Sequence, residues 1–311
     1  MSDPTAHPPI RPIFLGIDCG GSHTAVVVGD RDGQVLARAD GPGSAMRPGG
    51  AEISAAVIAD TARRAAAAAE VTLPADAAMV GAAGAGREQE QHELAAALIA
   101  AQVARRVRVA GDSEVALAAA FGDGPGILLN AGTGSIAFAR SPDARLHRAG
   151  GYGWQLGDEG GGYWLGRRAL AAAVRATDDP DESSTLLERL LVALGLRHLD
   201  DLIRWTATAT PAQVASLAPH VLNAAGEGEA VAQFAVGEAA MELARLVSVL
   251  ARHFSGDEPI AVATAGGLLH AGSPVLKALH DVLAADIPRA RLTNGPVDAP
   301  VGAVRLAARL I

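Results

Sequence analysis

Residues 157–162 read Gly-Asp-Glu-Gly-Gly-Gly and follow Gly150-Gly151-Tyr152-Gly153-Trp154-Gln155-Leu156. Glycine has no Cβ, so a ligand can approach such a backbone closely. A molecule held there meets an acidic acceptor, Asp158, and two rings, Tyr152 and Trp154. Acceptors beside a stacking ring suit a hydroxyl-rich ligand such as a sugar. The plainer alternative is a glycine-rich turn with solvated acids. Side chains of adjacent residues in an extended stretch point to opposite sides, so only one of Asp158 and Glu159 is expected to face the ligand.

Four further groups have residue types that could do chemistry. Asp18-Cys19-Gly20-Gly21-Ser22 forms a tight glycine turn. Such turns expose successive N–H groups that cradle phosphate oxygens, and an aspartate at a strand end can hold Mg²⁺ through water. Asn130-Ala131-Gly132-Thr133-Gly134-Ser135 repeats the pattern with Thr133 as a hydroxyl donor. Each turn alone is compatible with an ordinary hairpin, but two in matching positions could grip a phosphate from both sides. Asp112 ends a strand and precedes a helix, a position from which a carboxylate can accept a proton from an attacking hydroxyl, or simply cap the helix. Gly266-Gly267 follows an apolar strand and would let a flat nucleobase and ribose approach the backbone, unless it is only a turn into the next helix.

The elements that must position these residues alternate. Ile13–Ile17, Thr24–Val28 and Gln34–Ala37 read as strands joined by the glycine turn and by Asp30-Arg31-Asp32-Gly33. The same order returns in Ile127–Leu129, Ile136–Ala139 and Leu146–Arg148. A single echo at this distance indicates two similar domains and not a solenoid. Helices are expected over Glu52–Glu70, Gln89–Ala101 and Ser113–Phe121, with strands over Ala78–Val80 and Arg106–Ala110. After the acidic glycine run the chain reads as mostly helical: Gly166–Ala176, Thr185–Leu194, Leu199–Thr206, Pro211–Ala225 and Ala230–Phe254. Ile260–Thr264 reads as the final strand, followed by helices over Pro274–Ala285 and Val301–Leu310. Alternation of this kind specifies an α/β fold with parallel strands.

Composition removes several classes of function. The 311 residues carry a net charge of −8 with no basic cluster, which argues against a nucleic-acid partner. No apolar run approaches the ~20 residues of a membrane span. Met1–Pro12 is proline-bearing without an apolar core, so it reads as a disordered tail and not a signal peptide. The single cysteine, Cys19, excludes an internal disulfide and a cysteine-based cluster within one chain, and with no nearby histidine that would mark a nucleophile it reads as a small buried residue. His23 has no partner suggested by spacing. A cytoplasmic enzyme fits this profile.

Together the five groups resemble the acetate/sugar kinase–Hsp70–actin superfamily, and within it the N-acetylglucosamine/glucosamine kinase group of the BadF-type ATPases. The resemblance runs from about residue 13 to 308 and is most specific in the Gly-Asp-Glu-Gly stretch. It implies two ribonuclease-H-like (actin-like ATPase) domains around a central cleft, at 13–112 and 113–311, the second with helical insertions, and a homodimer. It implies Gly20, Gly21, Ser22, Gly132, Thr133, Gly134, Gly266 and Gly267 as ATP contacts, Asp18 as the Mg²⁺ residue and Asp112 as the catalytic base. Gly151, Tyr152, Gly153 and Asp158 would contact an amino sugar, phosphorylated at its 6-hydroxyl, with domain closure excluding water. Ser44-Ala45-Met46 stands where the group tends to carry a sugar-contacting Asn, and Arg47 is a candidate replacement. The related activator ATPases need more than one cysteine per chain for an iron–sulfur cluster, so a single Cys19 argues against that role. The rival functions are an ATPase coupled to a partner protein and a catalytically silent sugar-binding regulator.

Overall fold

The computed structural model describes residues 12–21, 23–178 and 184–311. The expectation of a disordered N-terminal tail therefore falls outside the described residues, as do Ser22 and most of the loop expected around 178–184. The chain divides into two compact units, one running to Asp123 and resuming at Val297–Ile311, the other spanning Gly124–Pro296.

The first unit begins with strands β1 (Phe14–Cys19), β2 (His23–Gly29) and β3 (Val35–Pro42), helix α1 (Ala51–Ala68), strand β4 (Ala75–Ala82), helix α2 (Glu88–Ala100), strand β5 (Ala104–Gly111) and helix α3 (Asp112–Phe121). The sheet order is β3-β2-β1-β4-β5. β1 pairs antiparallel with β2 and parallel with β4. The β2–β3 turn is closed by Asp30, whose Oδ1 accepts from the N–H groups of Asp32 and Gln34. Leu15, Ile17 and Cys19 alternate onto the face that carries α1 and α2. Phe14 turns to the opposite face. β4 reads Ala-Asp-Ala-Ala-Met-Val-Gly-Ala and is buried along nearly its whole length, as a central parallel strand should be.

The second unit repeats the plan. Strands β6 (Gly126–Ala131), β7 (Ser135–Arg140) and β8 (Leu146–Gly150) form the antiparallel half. Six helices follow: α4 (Gly162–Ala176), α5 (Leu186–Leu194), α6 (Leu199–Thr206), α7 (Pro211–Ala215), α8 (Ala218–Gly226) and α9 (Ala230–Ala251). Then come β9 (Ile260–Ala265), α10 (Pro274–Asp286) and β10 (Ala290–Pro296), with sheet order β10-β9-β6-β7-β8. The chain returns to the first unit as α11 (Ala299–Ala308).

Three sequence expectations are corrected. β9 is not the last strand, because β10 pairs parallel to it at the sheet edge with a register shift between Leu292 and Pro296. Its Asn294-Gly295-Pro296 end reads as a turn, and an edge strand tolerates that. The single helix expected over Pro211–Ala225 is two, because Pro219 has no N–H to give the carbonyl of Ala215 and the helix must break there. A boundary at Asp112/Ser113 is also displaced, since α3 and α11 both pack in the first unit around Phe14, Met79 and Val115. Gly16 admits α11: a methyl group there would overlap the Pro300 carbonyl.

Candidate functional site

In the first unit the carboxyl ends of the parallel strands bring two acids together. Asp18 lies near the end of β1, in register with Gly81 of β4, which in turn pairs with Ala110 of β5. β5 ends at Gly111, and Asp112 is the first residue of α3. Asp112 is not the cap: Gly111 occupies that position, and Asp112 Oδ1 accepts the N–H of its own neighbour Ser113 at 2.8 Å. Burial, then the charge of Asp112, push the Asp18 carboxyl from 3.8 up to about 6. His23, Arg38 and Asp298 also act on it. Arg38 bridges to Asp298, which caps α11, at 2.9 Å, and His23 contacts Asp40 at 3.0 Å. Spacing alone revealed neither partner. Asp298 caps α11, which returns to the first unit from the far end of the sequence.

Among the described residues no three acidic, histidine or cysteine side chains form a metal cluster. Mg²⁺, however, is commonly bound by one or two carboxylates with waters and phosphate oxygens making up the rest. A carboxylate made reluctant to ionise by burial and then by a second carboxylate fits that requirement, because a divalent charge would favour the ionised form against both. The shift has a sign. Between pH 4 and 6 the folded protein holds the Asp18 proton more tightly than the unfolded chain, so stability falls as pH rises through that window. Above it the cost is complete. Asp18→Asn should therefore raise the melting temperature at pH 7.5 and leave it nearly unchanged at pH 4. An equal shift at both pH values in a thermal-denaturation series would show that Asp18 carries no such strain.

The neighbouring turn is more committed than the sequence implied. Gly20 N–H donates to the His23 carbonyl at 2.8 Å, and the Gly20 carbonyl accepts from Ser44 and Ala45. Gly21 has open space at its Cα. Cys19 is buried and its thiol is pushed up to about 12, mainly by that burial, so it is no nucleophile. In the loop after β3, Ser44 and Met46 turn inward, Ser44 bonding Thr24 at 2.6 Å, and Arg47 is left exposed.

The second unit joins three of the expected groups. Gly132 and Thr133 line a pocket of about 770 Å³ together with Gly267. Gly266 itself packs behind it: φ is +90°, and a methyl group would overlap Asn130 and the Ala131 carbonyl. The far wall comes from α7 and α8, with Ser216, Asn223 and Glu227 among its polar groups and Leu222 among its apolar ones. The sequence showed this segment only as helix. Its one signal was Pro219, which breaks the helix and opens the wall.

The acidic glycine run is bonded directly onto the same turn. Gly162 N–H donates to Gly132 O at 2.8 Å and Tyr163 N–H to Thr133 O at 2.9 Å. Ser135 Oγ donates to Glu159 O at 2.6 Å. Asp158 sits at φ +61°, in the left-handed region, and leads into a turn at residues 159–160, so the expected strand alternation does not apply. Its Oδ1 accepts Gly153 N–H at 3.2 Å, and burial raises its carboxyl above the usual range. Glu159 is exposed. The two rings are exposed as well: Trp154 meets Tyr163 edge-on at 5.2 Å, and the Arg148 guanidinium lies 4.8 Å above Tyr152. Arg148 also donates to the carbonyls of Gly150 and Gly151. Gly151 is at φ +70° over Ile136, and Gly153 at φ +87° faces open space.

Comparison with known proteins places the chain. A family model described as the BadF/BadG/BcrA/BcrD ATPase family matches residues 15–307. The chain belongs to that family. One relative is an N-acetylmuramic acid/N-acetylglucosamine kinase of Clostridium acetobutylicum, 30% identical over 231 residues, 73% of this chain and 76% of that one. An N-acetyl-D-glucosamine kinase of Dictyostelium discoideum is 26% identical over 96% of this chain and 98% of its own. The solved structure of a protein provisionally named N-acetylglucosamine kinase, from Chromobacterium violaceum, has a TM-score of 0.73 at 32% identity and covers 96% of this chain and 99% of that one. The α/β, two-domain actin-like ATPase architecture expected from the sequence is the one these proteins share with it.

Proposed function

We propose that this ATP-dependent sugar kinase phosphorylates an N-acetylated amino sugar, N-acetylglucosamine first, at the 6-hydroxyl. One observation carries the reading: the acidic glycine run bearing Asp158 is hydrogen-bonded onto the glycine turn that lines the second unit's pocket. A hydroxyl-binding surface next to a phosphate-type turn is what phosphoryl transfer to an alcohol needs, since that chemistry is mainly positioning and charge neutralisation. Family membership and the named kinases support it.

Asp112 accepts the proton of the 6-hydroxyl as its oxygen attacks the γ-phosphorus; the bond from that phosphorus to the β,γ-bridging oxygen breaks, and ADP departs with its electron pair. Asp18, beside Asp112, would hold hydrated Mg²⁺, which when bound neutralises phosphate charge. Thr133 and Gly132 meet phosphate oxygens, and the pocket walled by Gly267, Asn223 and Leu222 takes the adenosine. The setting is cytoplasmic, where ATP is supplied, and no helix among the described residues is long and apolar enough to cross a membrane.

A coupled assay of ADP release over N-acetylglucosamine, glucosamine, N-acetylmuramic acid and glucose tests the reading. Release should depend on an N-acetylated amino sugar. A rate indifferent to every sugar would favour the ATPase coupled to a partner protein. N-acetylmuramic acid belongs in the panel because Arg148, above Tyr152, is a cation that its lactyl carboxylate can meet.

Thr133→Val and Gly132→Val should raise the KM for ATP and lower kcat. A Cβ at Gly132 would meet no protein atom within 4 Å beyond its chain neighbours, so the added bulk starts into open space. An unchanged nucleotide titration in either variant would remove this turn from the ATP site.

A further inference from the structure

Gly134 stands in the glycine turn assigned above to phosphate, yet its environment is different from that of Gly132. A methyl group at Gly132 meets nothing, whereas one at Gly134 would overlap the carboxylate of Asp158. The Gly134 backbone does not lie in the left-handed region, so conformational freedom is not what requires glycine there. Close approach is. From the other side, a methyl group on Gly161 would press on the Gly134 backbone. Gly161 N–H in turn donates to the Asp158 carbonyl at 3.0 Å. The Asp158 side chain is thus seated against the Gly134 Cα, with Gly153 N–H holding Oδ1.

We infer that Gly134 is a positioning residue for the sugar and not a nucleotide contact: it leaves the space in which the Asp158 carboxylate is held at the angle that accepts the sugar's hydroxyls. This rests on the reading of Asp158 as a sugar acceptor. A carboxylate swung away from its seat would lose hydroxyl contacts while the phosphate donors of Gly132 and Thr133 stay in place.

The test is a double-mutant cycle on sugar KM and ATP KM together. Gly134→Ala should raise the KM for N-acetylglucosamine about tenfold, the loss of one hydroxyl–carboxylate bond, with ATP KM changed by no more than about twofold. The partner variant is Asp158→Gly, because glycine tolerates φ +61° and removes even the Cβ, which would lie 3.2 Å from the new methyl group. In that background Gly134→Ala should add nothing to sugar KM, because groups acting through one contact are not additive. Should Gly134→Ala alone fail to fold, recovery of folding in the Asp158→Gly background shows the same contact, and failure to recover overturns it. A selective rise in ATP KM, or additive effects on sugar KM, overturns the inference while leaving the kinase reading intact. A wild-type enzyme that turns over no amino sugar in the ADP-release panel overturns the reading itself, and this inference with it.

Discussion

Asp112→Asn should lower kcat by about 10²–10⁴-fold, the usual cost of removing a general base, while the KM values for sugar and ATP stay near those of the wild type. The structure makes this substitution a clean one. Asp112 Oδ1 accepts Ser113 N–H, and an asparagine carbonyl oxygen can accept the same bond, so the start of α3 keeps its anchor. What disappears is the ability to take a proton. The asparagine also removes one of the two charges crowding Asp18 and lowers the cost of ionising it. Asp112→Asn should therefore be at least as stable as the wild type near neutral pH while being nearly inactive. Stability and activity moving in opposite directions is what a catalytic base predicts. A variant with near-normal kcat and a lowered melting temperature would make Asp112 a helix-terminal residue and nothing more.

Much of this arrangement was readable before any coordinates. The two hairpins announced themselves through β-branched runs interrupted by Asp-Gly and Gly-rich turns, and both sheets formed around them with the same strand order. Local spacing also placed Asp112 at a strand-to-helix junction. Long-range pairings were not readable. Asp298 reaches the Asp18 neighbourhood only because α11 crosses back to the first unit, and nothing in residues 299–308 distinguishes a helix that returns from one that stays. β10 is obscured for a local reason: its Asn-Gly-Pro end reads as a turn and leaves only the four residues Ala290–Thr293 before it. The α7–α8 wall was missed because a proline inside an alanine-rich helical stretch marks a break but not what faces the gap. In each case the missing information was tertiary.

In the acidic glycine run the two acids are separated by a local geometry other than strand alternation. Strand alternation is the reason to expect one ligand-facing acid of two, but Asp158 lies in the left-handed region and leads into a turn at residues 159–160. The separation of the two acids arises otherwise: Asp158 is folded back against Gly134, and Glu159 offers its carbonyl to Ser135 while its side chain is exposed. Asp158→Ala should raise sugar KM about tenfold or more, since a hydroxyl bonded to a carboxylate contributes roughly 1.5–3 kcal/mol. ATP KM should move far less. Alanine is poorly suited to φ +61° and frees Gly153 N–H, so part of its effect is structural. Asp158→Asn separates the two causes, because asparagine tolerates that conformation and keeps an acceptor for Gly153. A sugar KM that rises in both variants assigns the effect to the lost charge. Glu159→Ala leaves the backbone carbonyl bonded to Ser135 and removes only an exposed side chain, so both KM values should stay within about twofold of wild type, as surface substitutions usually do. A selective ATP defect in Asp158→Asn would assign this stretch to the nucleotide instead, and sugar recognition would then have to be sought in the exposed Arg47 loop.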